Sequence, residues 1–91
     1  MKRLESNLNV RDPQFQSNAQ ALRLLVGDLR EKNAQASLGG GEAARDKHTA
    51  RGKMLPRDRV QTLLDPGSPF LEFSQLAGHG MHDGDAPCGG V

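Results

Sequence analysis

The chain has 91 residues, of which 35% are hydrophobic and 25% are charged, and its formal net charge is +1. This near balance gives no strong attraction to nucleic acid or to an anionic membrane, and no apolar run approaches the roughly 20 residues of a membrane-spanning helix. A single cysteine, Cys88, excludes an internal disulfide bond and a cysteine-based zinc site.

The first predicted element is a long amphipathic helix that follows an aperiodic, mobile N-terminus at residues 1–12. Asp12 and Pro13 indicate its start, because an Asp side chain accepts a free backbone N–H and Pro suits the first helical position. Apolar residues then recur every three or four positions, at Phe15, Ala19, Leu22, Val26 and Leu29. This spacing predicts a helix over about 14–37.

Two shorter helices are predicted next. The glycine run 39–41 is expected to end the first helix, so the N-terminal helical segment occupies 13–38. A second helix is predicted at 42–51, where the apolar side chains are alanines only and cannot anchor the helix by themselves. A third helix is predicted at 56–64, with Val60, Leu63 and Leu64 on one face.

A strand is predicted at about 70–77, after a turn made by the Asp-Pro-Gly-Ser-Pro run at 65–69. Leu71 and Phe73 alternate with Glu72 and Ser74, as in a half-buried strand. The element pattern of helices followed by a strand favours an α/β fold class.

A basic stretch at 42–59 carries six Lys or Arg residues against three acids. Within it, Arg51 and Lys53 lie on either side of Gly52, and Arg forks and Lys point charges both suit phosphate groups. The spacing alone favours a solvated basic face that forms ion pairs with acids elsewhere. The alternative is a site for the phosphates of a nucleotide-like ligand.

Other reactive side chains form no recognisable centre. His79 and His82 are three residues apart and near Asp83 and Asp85, but they lie among glycines and lack a further fixed ligand, so no metal is expected. Cys88 has no base near it in the sequence to activate its thiol. No catalytic residue is assigned in this segment.

Three short blocks are more specific than these groupings. They read His-Thr-Ala-Arg-Gly-Lys at 48–53, Pro-Arg-Asp-Arg-Val at 56–60 and Leu-Leu-Asp-Pro-Gly-Ser at 63–68. In this order they resemble the opening of the β subunit of biotin-dependent acyl-CoA carboxylases. Residues 68–72 and 75–78 look most like the methylcrotonoyl-CoA carboxylase branch, with the propionyl-CoA and geranyl-CoA carboxylase β subunits as alternatives.

The resemblance implies a crotonase-like carboxyltransferase fold, of which residues 39–91 are the truncated start of the N-terminal domain. It implies transfer of a carboxyl group from carboxybiotin to the γ-carbon of 3-methylcrotonoyl-CoA in leucine degradation. Biotin is carried by a partner α subunit that charges it with ATP and bicarbonate, and β subunits form a homo-oligomeric core. The acyl-CoA phosphates need cations, for which Arg51 and Lys53 are the candidates.

The resemblance also sets expectations about the chain as a whole. The oxyanion-hole glycines and the biotin site belong to downstream family segments, so the isolated 91 residues are expected to be an inactive N-terminal part of an enzyme. We expect a cytoplasmic location in a bacterium and the mitochondrial matrix in a eukaryote. The alternative is a non-enzymatic helical interaction module, and the reading frame after Val91 distinguishes the two.

Overall fold

The structure, a computed structural model, describes residues 1–89. It contains three α-helices, α1 at Pro13–Ser37, α2 at Glu42–Ala50 and α3 at Pro56–Leu63, and a short 3-10 turn at His82–Gly84. The chain divides into two compact units, Met1–Arg30 and the part that begins at Glu31. No helix among the described residues is long and apolar enough to cross a membrane.

The ends of α1 confirm the predicted start and stop signals. The Asp12 Oδ1 atom accepts a hydrogen bond of 2.8 Å from the Gln14 backbone N–H, as an N-cap does. At the other end, Gly39 has a φ of +83° and its N–H donates to the Ala36 carbonyl at 3.1 Å. Glycine adopts this left-handed conformation without strain, so it ends the helix.

Helices α2 and α3 lie where the sequence predicts them, each ending one residue earlier than expected. After α2, Gly52 has a φ of +74° and its N–H donates to the Thr49 carbonyl at 2.9 Å. After α3, the Ser68 N–H donates to the Asp65 carbonyl at 3.0 Å across Pro66 and Gly67. Gly67 has a φ of +78°, the value that the third position of a type II turn requires.

The predicted strand at 70–77 is wrong for the part of the chain that the structure describes. Residues 70–74 have no regular structure, and Ser74 has a φ of +57°, outside the extended region. A strand is stable only when a neighbouring strand accepts and donates its backbone hydrogen bonds, and residues 1–89 contain no other strand. The backbone turns instead, with the Ala77 N–H donating to the Ser74 carbonyl at 3.0 Å.

The described residues form almost no apolar core. Ala36 is the only hydrophobic residue buried among them, and leucines and phenylalanines along the chain are exposed. Apolar burial normally dominates folding, and among the described residues it is nearly absent.

Candidate functional site

A forked ion pair links α3 to the segment in which a strand was predicted. Arg57, the second residue of α3, donates from Nε to Glu72 Oε2 at 2.9 Å and from Nη2 to Glu72 Oε1. The two side chains are 30% and 18% exposed, so water screens the pair only partly. A planar guanidinium facing a carboxylate in this way fixes both distance and orientation.

The same guanidinium also satisfies the C-terminus of α1. Its Nη1 atom donates to the carbonyls of Ala36 and Ser37, at 3.2 and 2.9 Å. Carbonyls in the last turn of a helix lack intrahelical partners, and they lie at the negative end of the helix dipole. Arg57 therefore supplies the cation that the last turn of α1 does not contain.

Cys88 also belongs to this group. We call the group the Arg57 bridge: it consists of Arg57, Glu72, Cys88 and the carbonyls of Ala36 and Ser37. Its Sγ atom lies 3.8 Å from Arg57 Nη2 and 3.9 Å from Glu72 Oε1. The thiol is half-buried beside a cavity of about 320 Å³, whose wall includes the apolar side chains of Val60 and Phe70. These contacts join residues that are far apart in the sequence.

The electrostatics of the bridge favour its charged form. The hydrogen bonds from Arg57 lower the pKa of Glu72 below its ordinary value of 4.5, against an opposing effect of burial. The Glu72 carboxylate in turn raises the pKa of Arg57. Both groups are therefore ionised near neutral pH, and their contacts hold α3 to the Glu72 segment and to the last turn of α1.

A basic cleft lies beside the loop that follows α2. Lys53, Arg59 and His48 line it together with Gly52 and Met54, and its volume is about 430 Å³. The His48 Nε2 atom lies 2.9 Å from the Met54 carbonyl, which requires this nitrogen to carry a proton and donate it. One lysine from the loop and one arginine from α3 thus lie at the same opening.

The sequence singled out Arg51 and Lys53 for phosphate. Lys53 lines the basic cleft, and Arg51 is exposed and is not part of that lining. Arg59, six residues beyond Lys53, lies in the cleft instead. The turn at Gly52 changes the direction of the chain, and nothing in the residue spacing indicated which cations meet beyond it.

The other residues considered from sequence do not assemble into a reactive centre. Among residues 1–89, no three His, Cys, Asp or Glu side chains lie close enough together to hold a metal ion. His79 and His82 are exposed in the glycine-rich loop. The Arg57 bridge was missed from sequence, because Glu72 was assigned to the solvent-facing side of a strand.

Comparison with curated proteins gives consistent results, although no family model matches the chain. A Mycobacterium tuberculosis biotin-dependent 3-methylcrotonyl-coenzyme A carboxylase β1 subunit is 55% identical over 76% of this chain. The Drosophila melanogaster probable mitochondrial methylcrotonoyl-CoA carboxylase β chain is 47% identical over 87% of it. The Arabidopsis thaliana mitochondrial methylcrotonoyl-CoA carboxylase β chain is 46% identical over 85% of it.

These matches cover most of this chain but only a small part of each relative. The chain spans only 13% to 14% of the length of these three relatives. Propionyl-CoA carboxylase β chains match more weakly, for example at 41% identity over 65% of this chain for the Roseobacter denitrificans protein. The chain belongs to the family of the β subunits of biotin-dependent acyl-CoA carboxylases.

Proposed function

We propose that this chain is part of a carboxyltransferase subunit that moves a carboxyl group from carboxybiotin to 3-methylcrotonoyl-CoA. The observation that carries the proposal is the share of this chain that relatives in two branches of the family match. Relatives named for methylcrotonoyl-CoA match 76% to 87% of the chain at 40% to 55% identity. Propionyl-CoA carboxylase β chains match 60% to 65% at 40% to 41%.

The remaining parts of the proposal follow from that family. The complete subunit, by which we mean the longer polypeptide containing these 91 residues, adopts a crotonase-like α/β fold. It works with a biotin-carrying partner subunit and with further copies of itself. The reaction needs backbone N–H groups that stabilise a negatively charged thioester oxygen, and these belong to other parts of the subunit. The fly and plant relatives are named mitochondrial, so a eukaryotic subunit would act in that compartment.

Within this subunit, the basic cleft is proposed to hold phosphate groups of the acyl-CoA. Lys53 and Arg59 line one opening, and Arg51 precedes Lys53 by two residues in the sequence. An ammonium point charge beside a guanidinium fork suits a phosphate with several acceptor oxygens. The Arg57 bridge has no such role, because its cation is already bound to a carboxylate and two carbonyls.

Neutralising the cleft is expected to weaken acyl-CoA binding without changing the chemical step. Lys53→Gln in the complete subunit should raise KM for acyl-CoA about tenfold and leave kcat unchanged, since a charge-assisted contact is made equally in the ground and transition states. Arg51→Gln and Arg59→Gln test the two neighbouring cations. Lys47→Gln, an exposed lysine on α2, is the matched control and should leave KM unchanged. An unchanged KM in both Lys53→Gln and Arg59→Gln would contradict the assignment.

The reaction itself is tested by steady-state kinetics of the complete subunit assembled with its biotin-carrying partner. We expect ATP-dependent carboxylation with a higher kcat/KM for 3-methylcrotonoyl-CoA than for propionyl-CoA or geranyl-CoA, and loss of activity with avidin. A preference for propionyl-CoA or geranyl-CoA would assign the chain to another branch. Absence of carboxylation with all three would favour the non-enzymatic interaction module.

A further inference from the structure

An apolar stripe on α1 is exposed to solvent. Leu22, Leu25 and Leu29 are 61%, 67% and 48% exposed, although they fall on one side of the helix. They belong to the unit Met1–Arg30, in which no residue is buried. Nothing within this unit covers the stripe, and an amphipathic helix gains most of its stability from burying such a face.

The spacing of the stripe fits another helix. Its central residues are separated by four, three, four and three positions, at Phe15, Ala19, Leu22, Val26 and Leu29. This spacing averages 3.5 residues, the period of a helix seam, with β-branched Val26 between Leu22 and Leu29. The seam is about 21 Å long, since an α-helix rises 1.5 Å per residue. A helix of four turns would cover it.

Two arginines define the charge of the partner. Arg23 and Arg30 are exposed on the Val26 side of the stripe, and their seven-residue separation is about 10 Å along the helix. A second copy of α1 in the antiparallel direction would bring these arginines against each other. A parallel copy would place Arg30 beside Leu25 of the other helix. Neither arrangement supplies a carboxylate to either arginine.

We propose that this stripe docks an amphipathic helix, flanked by carboxylates about 10 Å apart, from another part of the complete subunit. We place the docking helix in the same subunit on the basis of the proposed function. The relatives are about seven times as long as the matched region, so the rest of the subunit can supply such a helix. A leucine stripe this exposed needs cover as soon as the subunit folds, and a segment of the same polypeptide supplies it at high effective concentration. The acidic flanks then pair with Arg23 and Arg30.

The test is site-specific photocross-linking in the complete subunit, with and without its biotin-carrying partner. A benzophenone amino acid replaces Leu25 in one sample and Leu24 in another. Leu24 is 71% exposed and lies on the opposite side of α1, so it is the matched control. We expect an intramolecular cross-link from position 25, mapped by mass spectrometry to a peptide rich in Asp or Glu, and at least fivefold less from position 24.

Charge reversal adds an independent readout. Arg23→Glu with Arg30→Glu should reduce the cross-link from position 25 severalfold, whereas Gln20→Glu, on another face of α1, should not change it. Cross-links to a second copy or to the biotin-carrying subunit would overturn the proposal, as would equal yields from positions 24 and 25. Carboxylation is measured on the same wild-type preparation. Activity without the intramolecular cross-link refutes the docking alone, and the cross-link without activity refutes the proposed function alone.

Discussion

Leu29→Ala in the complete subunit is expected to lower the free energy of unfolding by about 2–5 kcal/mol. Truncating a leucine in a filled site removes its transfer free energy and leaves a cavity. Leu29 is the last residue of the apolar stripe on α1, and the proposed docking would bury it. Urea or guanidinium denaturation measures the change, provided that the transition remains two-state.

The matched control is Leu24→Ala, because both residues are exposed leucines on the same helix. Leu24→Ala should change the free energy of unfolding by no more than about 0.5 kcal/mol, as is usual for surface substitutions. In the 91-residue chain by itself, Leu29→Ala should also cost little. Equal losses for the two leucines in the complete subunit would mean that the stripe remains uncovered there.

Arg57→Ala is expected to cost about 2–3 kcal/mol of stability. The substitution removes a forked ion pair and two hydrogen bonds to the end of α1, and it leaves the Glu72 carboxylate half-buried without its cation. The estimate is below that for a fully buried pair, since water reaches both side chains. A melting temperature several degrees lower, with KM for acyl-CoA unchanged, would identify a structural role.

Two variants sharpen the interpretation of Arg57. Arg57→Lys keeps the charge but cannot form the fork, so it should recover only part of the stability. Arg51→Ala should leave the melting temperature unchanged, because Arg51 is exposed. If Arg51→Ala lowers the melting temperature as much as Arg57→Ala, then it is wrong to assign a structural role to Arg57 alone and to keep Arg51 as a ligand-binding candidate.

The bridge also predicts how stability changes with pH. The folded-state pKa of Glu72 lies below its ordinary value of 4.5, so its contribution is fully present above that pH and decreases as pH falls through the folded-state pKa. Arg57 has a raised pKa and stays protonated throughout this range. Thermal unfolding of Glu72→Gln should therefore depend less on pH below 4.5 than unfolding of the parent chain. Parallel pH profiles for both proteins would contradict this contribution.

Local chemistry accounts for the elements that the sequence predicted well. Asp12, Pro13 and Gly39 act on backbone groups within three residues of themselves, so their effects are visible in a short stretch of sequence. The turn at Asp65 to Ser68 is determined in the same way by Pro66 and Gly67. The observed ends of the three helices therefore lie within one residue of the predicted ends.

The features that the sequence did not predict correctly all depend on contacts between residues far apart in the chain. The alternation of Leu71, Glu72 and Phe73 is typical of a strand, but pairing needs a second strand that residues 1–89 do not provide. Glu72 pairs with Arg57, 15 positions earlier, and Cys88 lies 31 positions beyond Arg57. No local periodicity reports contacts over such separations. The cleft around Lys53 likewise depends on where the chain runs after Gly52.

The position of the new carboxyl group in the product tests the proposed function most directly. The complete subunit and its biotin-carrying partner are incubated with ATP, ¹³C-bicarbonate and 3-methylcrotonoyl-CoA, and the product is analysed by ¹³C NMR. Our account predicts label in a carboxyl group bonded to the γ-carbon, with no incorporation when biotin is blocked by avidin. When propionyl-CoA is supplied in competition, label in a carboxyl group bonded to its α-carbon, with none in the product of 3-methylcrotonoyl-CoA, would contradict it.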